Sequence, residues 1–167
     1  MRRLLETSGE TVNMGIENDG YVVFVSQMEC HHSIRAFHRP GARAPMHATS
    51  LGKAILASLT EQDVSERLRQ SGMPRLTSRT ITDPDALLSE LAAVRRRGWA
   101  IDDQEVSDGL RCVGAAIYNE HGETLAAISI AGPIVRMSDD RVDELGPMVK
   151  RAAAEITERV GGKIPQL

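Results

Sequence analysis

Two turns constrain the fold of this chain more than any other feature of its sequence. Asn18-Asp19-Gly20 and Asn119-Glu120-His121-Gly122 each sit between β-rich runs. Asparagine, aspartate and glycine accept the left-handed backbone that a tight strand reversal needs. Before the first turn residues 11–16 alternate apolar with polar side chains, and after it comes Tyr21-Val22-Val23-Phe24-Val25; the second turn joins 111–118 to 123–130. Both read as β-hairpins, which predicts antiparallel pairing. A third extended stretch, 33–37, runs into Pro40-Gly41, which demands a turn, and a further strand over 99–102 precedes the second hairpin.

Elsewhere the period is helical. Thr49 or Ser50 caps a short helix through 52–57, and Thr60 caps another that ends at Gly72 with Pro74 beyond. Asp83-Pro84 starts an amphipathic helix with Leu87, Leu88, Leu91 and Val94 on one face and Gly98 at its close. Ser138, followed by Asp139 and Asp140, caps a last helix in which Val142, Leu145, Val149, Ala152, Ile156 and Val160 recur every three or four residues. Gly146-Pro147 interrupts that helix, predicting a kink or a one-turn break. Residues 76–82 read equally as a loop or an edge strand, and Met1 to Glu6 as the last turns of a helix ending near Gly9, with a boundary expected upstream. This order predicts an α+β domain whose helices are segregated from a ligand face of the sheet.

At 167 residues one domain is the default, and the composition, 41% hydrophobic and 26% charged without a long apolar run, argues against disorder or a membrane span. The net charge of −3 argues against DNA binding by this segment alone, which would need a concentrated basic surface. Arg95-Arg96-Arg97 falls at a helix C-terminus, where cations suit the dipole. The start lacks the apolar core of a signal peptide, so a reducing, cytoplasmic setting with Cys30 and Cys112 as free thiols is expected.

Three groupings carry possible chemistry. Cys30-His31-His32, with His38 and His47 nearby, tempts a metal reading, but adjacent histidines on a strand face opposite ways and no zinc-type spacing occurs, so no metal is expected. Cys112 lies on a predicted strand with Asp102 on the strand before and Ser129 on the strand after, so the three converge in one pocket. No histidine sits beside Cys112 to hold a thiolate, which favours a buried thiol over a nucleophile. Thr49-Ser50-Leu51-Gly52-Lys53 opens a helix, where free N–H groups and the positive dipole end receive an anion such as a small carboxylate.

The string Met46-His47-Ala48-Thr49-Ser50-Leu51-Gly52-Lys53-Ala54-Ile55-Leu56-Ala57 resembles the signature of the C-terminal domain of the IclR family of bacterial transcription regulators, which commonly reads H-A-T/S-x-x-G-K-A-h-L-A with h apolar. Further matches follow in order: Arg97 to Asp102, Glu105 with Gly109, Cys112 to Ile117, and Ala126 to Pro133. The resemblance covers nearly the whole chain. It implies a GAF-like domain: a curved antiparallel sheet of about six strands with helices packed on it, sensing a small-molecule effector and performing no catalysis, with no cofactor. It further implies an N-terminal winged helix-turn-helix for DNA, absent from this chain, and assembly as a homodimer or homotetramer.

Within the family the chain is most similar to repressors of allantoin and glyoxylate use, through Ser8 to Asn13 and Gln27 to Cys30. That branch implies a small 2-oxo acid held at Ser50, Leu51, Gly52, Asp102, Cys112, Ser129 and Ala131. Two positions depart from it: Ser129-Ile130-Ala131 stands where that branch reads Ser-x-Ser, removing one hydroxyl donor, and Leu51 stands where it carries alanine. A carboxylate effector related to glyoxylate or pyruvate is therefore expected, held on the Ser50 and Leu51 N–H groups with Ser129 donating, while an ionised Asp102 accepts from a ligand hydroxyl, a hydrate or a bound water rather than facing the carboxylate. Two rivals remain open: a GAF-like thiol enzyme of the free methionine sulfoxide reductase type using Cys112 or Cys30, which needs a low-pKa thiolate, and a purely structural oligomerisation domain without a pocket.

Overall fold

The computed structural model describes residues 1–165. Its centre is a six-stranded sheet in the order β3-β2-β1-β6-β5-β4, curled and antiparallel throughout. The strands are β1 (Thr11–Asn18), β2 (Tyr21–Met28), β3 (Arg43–Pro45), β4 (Ala100–Asp103), β5 (Leu110–Tyr118) and β6 (Thr124–Pro133). Both turn-flanked hairpins form, and Asp19 and Gly20 adopt positive φ at the first. β6 then pairs with β1, so the early and late hairpins share one sheet.

The helices are α1 (Arg2–Ser8), α2 (Ser50–Leu56), α3 (Glu61–Ser71), α4 (Pro84–Arg97) and α5 (Asp139–Arg159). Thr49, Thr60, Asp83 and Ser138 each cap with a side-chain oxygen that accepts a first-turn N–H. One face of the sheet, through Val113, Ala115, Ile117, Ile128 and Ile130, packs with Val142, Leu145 and Val149 of α5. The opposite face takes α2, and with it Leu87, Leu91 and Val94 of α4. The opposite face is made of small residues where α2 lies on it: a Cβ on Gly114 would come to 3.0 Å from the Ser50 carbonyl. A larger residue there would lift the helix off the sheet.

Several expectations are corrected. Residues 33–37 form no strand, and the third strand is β3, beyond the Pro40-Gly41 turn. The segment instead crosses the end of the sheet: Ala36 packs with Cys112 and Ala131, and the Ile34 carbonyl accepts from Arg136. Residues 76–82 are a loop, held by Thr80, whose hydroxyl accepts from the Leu76 and Thr77 N–H groups and donates to the Glu105 carbonyl. α5 runs through Pro147 without a break, and Gly146 is there because a Cβ would lie 2.2 Å from the Trp99 ring. Val160 falls outside the helix and is half exposed; Ala153 and Thr157 complete the buried stripe in its place. The arginine cluster is structural in part: Arg95 donates to the Ala57 and Leu59 carbonyls beyond α2, and Arg97 lies over Trp99 and pairs with Glu90.

Candidate functional site

Strand register brings polar side chains together on the α2 face. Side chains of directly paired residues point the same way, so Thr11, Ala131, Cys112 and Asp102 form one row across four strands. Asn13, Ser129 and Gly114 form the next row. The N-terminal end of α2 rests over both. Thr49 Oγ1 accepts the Gly52 N–H at 2.9 Å and the Thr49 carbonyl accepts the Lys53 N–H, which leaves Ser50 and Leu51 as the first-turn N–H groups without an intrahelical acceptor.

Of the expected site residues, Ser50, Leu51, Asp102, Cys112 and Ser129 line a single cavity, together with Asn13, Phe24, His38, Thr49, Val106 and Leu110. Gly52 and Ala131 do not line it. Gly52 is pressed against Met46, whose carbonyl oxygen would sit 2.3 Å from a Cβ, and Ala131 packs behind the cavity with Ala36 and Cys112. The cavity is small, about 10 Å³, room for about one water. His38, Val106 and Leu110 also line an outer cleft of about 380 Å³ with Phe37 and Pro133, so these three side chains separate the cavity from the surface. His38 is fixed by stacking on Phe24, ring centroids 4.2 Å apart and planes within 7°.

Asp102 is 2% exposed. Its Oδ1 accepts the Glu105 N–H at 2.8 Å and the Val106 N–H at 3.4 Å, which folds the chain after β4 into the turn that carries Val106 over the cavity. Burial pushes the Asp102 carboxyl up to about 7, against the pull of those N–H groups and of Lys53. The site also holds an ion pair that sequence reasoning passed over: Lys53 of α2, 1% exposed, donates to Glu105 Oε1, and Glu105 Oε2 has no partner. Both residues lie inside matched motifs, but 52 positions separate them, and no local pattern pairs them. Asn13 was legible only as an inward position of an alternating strand; its Oδ1 accepts from Gln27 at 2.8 Å.

The two cysteines are free and buried. Burial, and next the neighbouring Asp102, hold the Cys112 thiol well above its ordinary range, the opposite of what a nucleophile needs. Cys30 packs with Thr11, whose hydroxyl lies 3.7 Å from its sulfur. Among the described residues no three His, Cys, Asp or Glu side chains gather around one point, and His31 and His32 are both exposed. His47 is fully buried, with Nε2 at 3.2 Å from the Pro74 carbonyl and Nδ1 without a partner. Burial lowers its pKa, so it donates from Nε2 as a neutral ring. No helix is long and apolar enough to cross a membrane among the described residues.

A curled antiparallel sheet with a helix N-terminus set over an inward-facing cavity, lined in part by polar residues, defines a ligand-binding α+β domain. Residues 1–158 match the family described as bacterial transcriptional regulator IclR C-terminal, and the chain belongs to that family. It is 45% identical to the transcriptional repressor IclR of Escherichia coli over 97% of its own length and 60% of that protein's, and 39% identical to the repressor AllR of the same species over 98% and 60%. The chain thus spans about 60% of the length of these curated relatives. In structure it superposes on the Thermotoga maritima IclR with a TM-score of 0.90 at 31% identity, covering 96% of this chain and 65% of that one. It also superposes on a double mutant of the inducer-binding domain of the Acinetobacter transcription factor PobR, in complex with 3-hydroxybenzoic acid, with a TM-score of 0.83 at 26% identity over 93% of this chain and 91% of that one.

Proposed function

We propose that this domain senses a small organic acid, a 2-oxo acid such as glyoxylate or pyruvate or a related carboxylate, and that binding there controls allosterically how a repressor of this family engages DNA. The observation that carries the reading is the convergence of Ser50, Leu51, Asp102, Cys112 and Ser129, from four different elements, on one cavity. The N–H groups of Ser50 and Leu51 receive the ligand's carboxylate, the Ser129 hydroxyl and the Asn13 amide donate beside it, and Cys112 forms the floor. That a double mutant of the PobR inducer-binding domain holds an aromatic carboxylic acid supports the same ligand class here.

An acid larger than one water enters only if His38, Val106 and Leu110 move outward, and that movement reshapes the outer cleft. Binding therefore favours one of two arrangements of the surface, as an allosteric effector must. DNA is engaged by a winged helix-turn-helix outside this chain, and the regulator works in the cytoplasm as a homodimer or homotetramer. The domain itself performs no chemistry: the buried, protonated Cys112 speaks against a thiol enzyme.

Thermal unfolding with glyoxylate, pyruvate and allantoin tests the reading. A ligand at a hundred times its Kd adds about 2.7 kcal/mol to the folded state, which raises the Tm by roughly 5–10 °C for a domain of this size. Ser129→Ala weakens that response. No shift with any carboxylate, or an undiminished response in the variant, overturns the assignment.

A further inference from the structure

Three ionisable side chains are shut away from water in and beside the cavity: Lys53, Asp102 and Glu105, at 1%, 2% and 5% exposure. The single ammonium is committed to Glu105 Oε1, and Glu105 Oε2 has no partner. Asp102 has one oxygen engaged by two N–H groups, and no cationic side chain lies within ion-pair distance of it among the described residues. With both carboxylates ionised the cluster is negative before any ligand arrives. A carboxylate placed beside Asp102 adds a second negative charge in a space with room for about one water. Like charges that close in a buried site disfavour each other's ionised form.

We propose that the cavity takes up its acid together with one proton, held on Asp102 Oδ2, so that the neutral side chain donates a hydrogen bond to the ligand's carboxylate. This rests on the acid-sensing reading above. The proton comes from solvent: ionised Asp102, the ligand anion and one hydrogen ion give the complex, and no bond other than that O–H forms. The other groups facing the site are these: burial raises the Glu105 carboxyl while the Lys53 ammonium opposes that rise, and Cys112 is a thiol that can donate to Asp102. His38, facing from the segment that crosses the sheet, is kept neutral by burial. Ser50, Thr49, Asn13 and Ser129 do not titrate.

Burial already brings Asp102 to about 7, so a neighbouring anion has only to carry it further in the same direction. An ionised aspartate can only accept hydrogen bonds, whereas the protonated form supplies the donor a carboxylate needs. The site thereby selects monoanions: oxalate, close in size to glyoxylate but doubly charged, finds no second proton and no free cation.

Calorimetric titration of this chain with glyoxylate and with pyruvate, from about pH 6 to about pH 9 in buffers of different ionisation enthalpy, counts the protons. The affinity is expected to fall about tenfold per pH unit above neutrality, with nearly one proton taken up per ligand. Asp102→Asn keeps a carbonyl oxygen for the Glu105 and Val106 N–H groups and an amide that donates at every pH. It binds without proton uptake and with one affinity across the range, while His38→Gln, whatever its affinity, retains the wild-type slope with pH and the wild-type proton count. Wild-type binding that is independent of pH and takes up no proton overturns the proposal and leaves the acid sensor standing. So does a dependence that vanishes in His38→Gln and survives in Asp102→Asn. If neither acid binds at any pH, both fall. Should Asp102→Asn fail to fold, the proton count on the wild type decides alone.

Discussion

Where α5 lies on the sheet it meets Val113, Ala115, Ile117, Ile128 and Ile130, each at most 2% exposed. One position along the same two strands, on the face that carries α2, stand Cys112, Gly114, Ala116, Ala127, Ser129 and Ala131. The first face is ordinary core, held by apolar area and close packing. The second uses small residues to let a helix end approach, and then places an ion pair, a lone carboxyl and a thiol beneath it. A buried ion pair contributes little net stability, because desolvation offsets its attraction. The α2 face has an apolar core of its own, through Met46, Leu51, Leu56, Leu87 and Leu91, but at the N-terminal end of α2 that core gives way to polar groups, whereas the five positions facing α5 are all apolar.

Substitutions that separate the two faces test this contrast. The largest effect is expected for Lys53→Met, which strands Glu105 as an unpaired buried charge and costs about 3–5 kcal/mol. Urea unfolding of Lys53→Met beside the double variant Lys53→Met/Glu105→Leu checks it, since the double variant regains most of the loss if the pair is electrostatic rather than a packing element.

Asp102 gives a dependence of the α2 face on pH. Its folded pKa of about 7 lies above its unfolded value, so the folded state binds more protons between about pH 4 and pH 7. Stability from this group is full below that window and is lost as pH rises through it, by up to about 4 kcal/mol. The difference in unfolding free energy between wild type and Asp102→Asn, followed from pH 4 to pH 8, isolates this loss; a flat difference shows that Asp102 is ionised throughout.

On the α5 face, Ile128→Ala should cost about 3 kcal/mol through the cavity it leaves. The affinity for an acid should not change. Chemical denaturation and ligand titration of the same variant measure both, and a loss of affinity would mean that the two faces are not independent.

The parts of the fold set by local chemistry were legible in the sequence. The two turns placed both hairpins, and Thr60, Asp83, Ser138 and Gly98 marked helix ends that the structure keeps. What failed depended on distant partners. Residues 33–37 have strand-like composition, but Pro40-Gly41 turns the chain so that 43–45 reach the β2 edge instead. Gly146-Pro147 reads as a break until Trp99, from another part of the chain, is seen against Gly146. For the site, five of the seven expected residues meet at the cavity, because motif and strand alternation fix which side chains face inward. The size of the cavity, and the Lys53–Glu105 pair beside it, are results of packing between elements and have no local signature.

The wall between the cavity and the outer cleft is one side chain thick. His38, Val106 and Leu110 each touch both spaces, so the interior has no slack of its own. Under the proposed function, side chains that give way to a ligand inside would be displaced towards the outer cleft, where Ile34 and Phe37 stand 74% and 55% exposed.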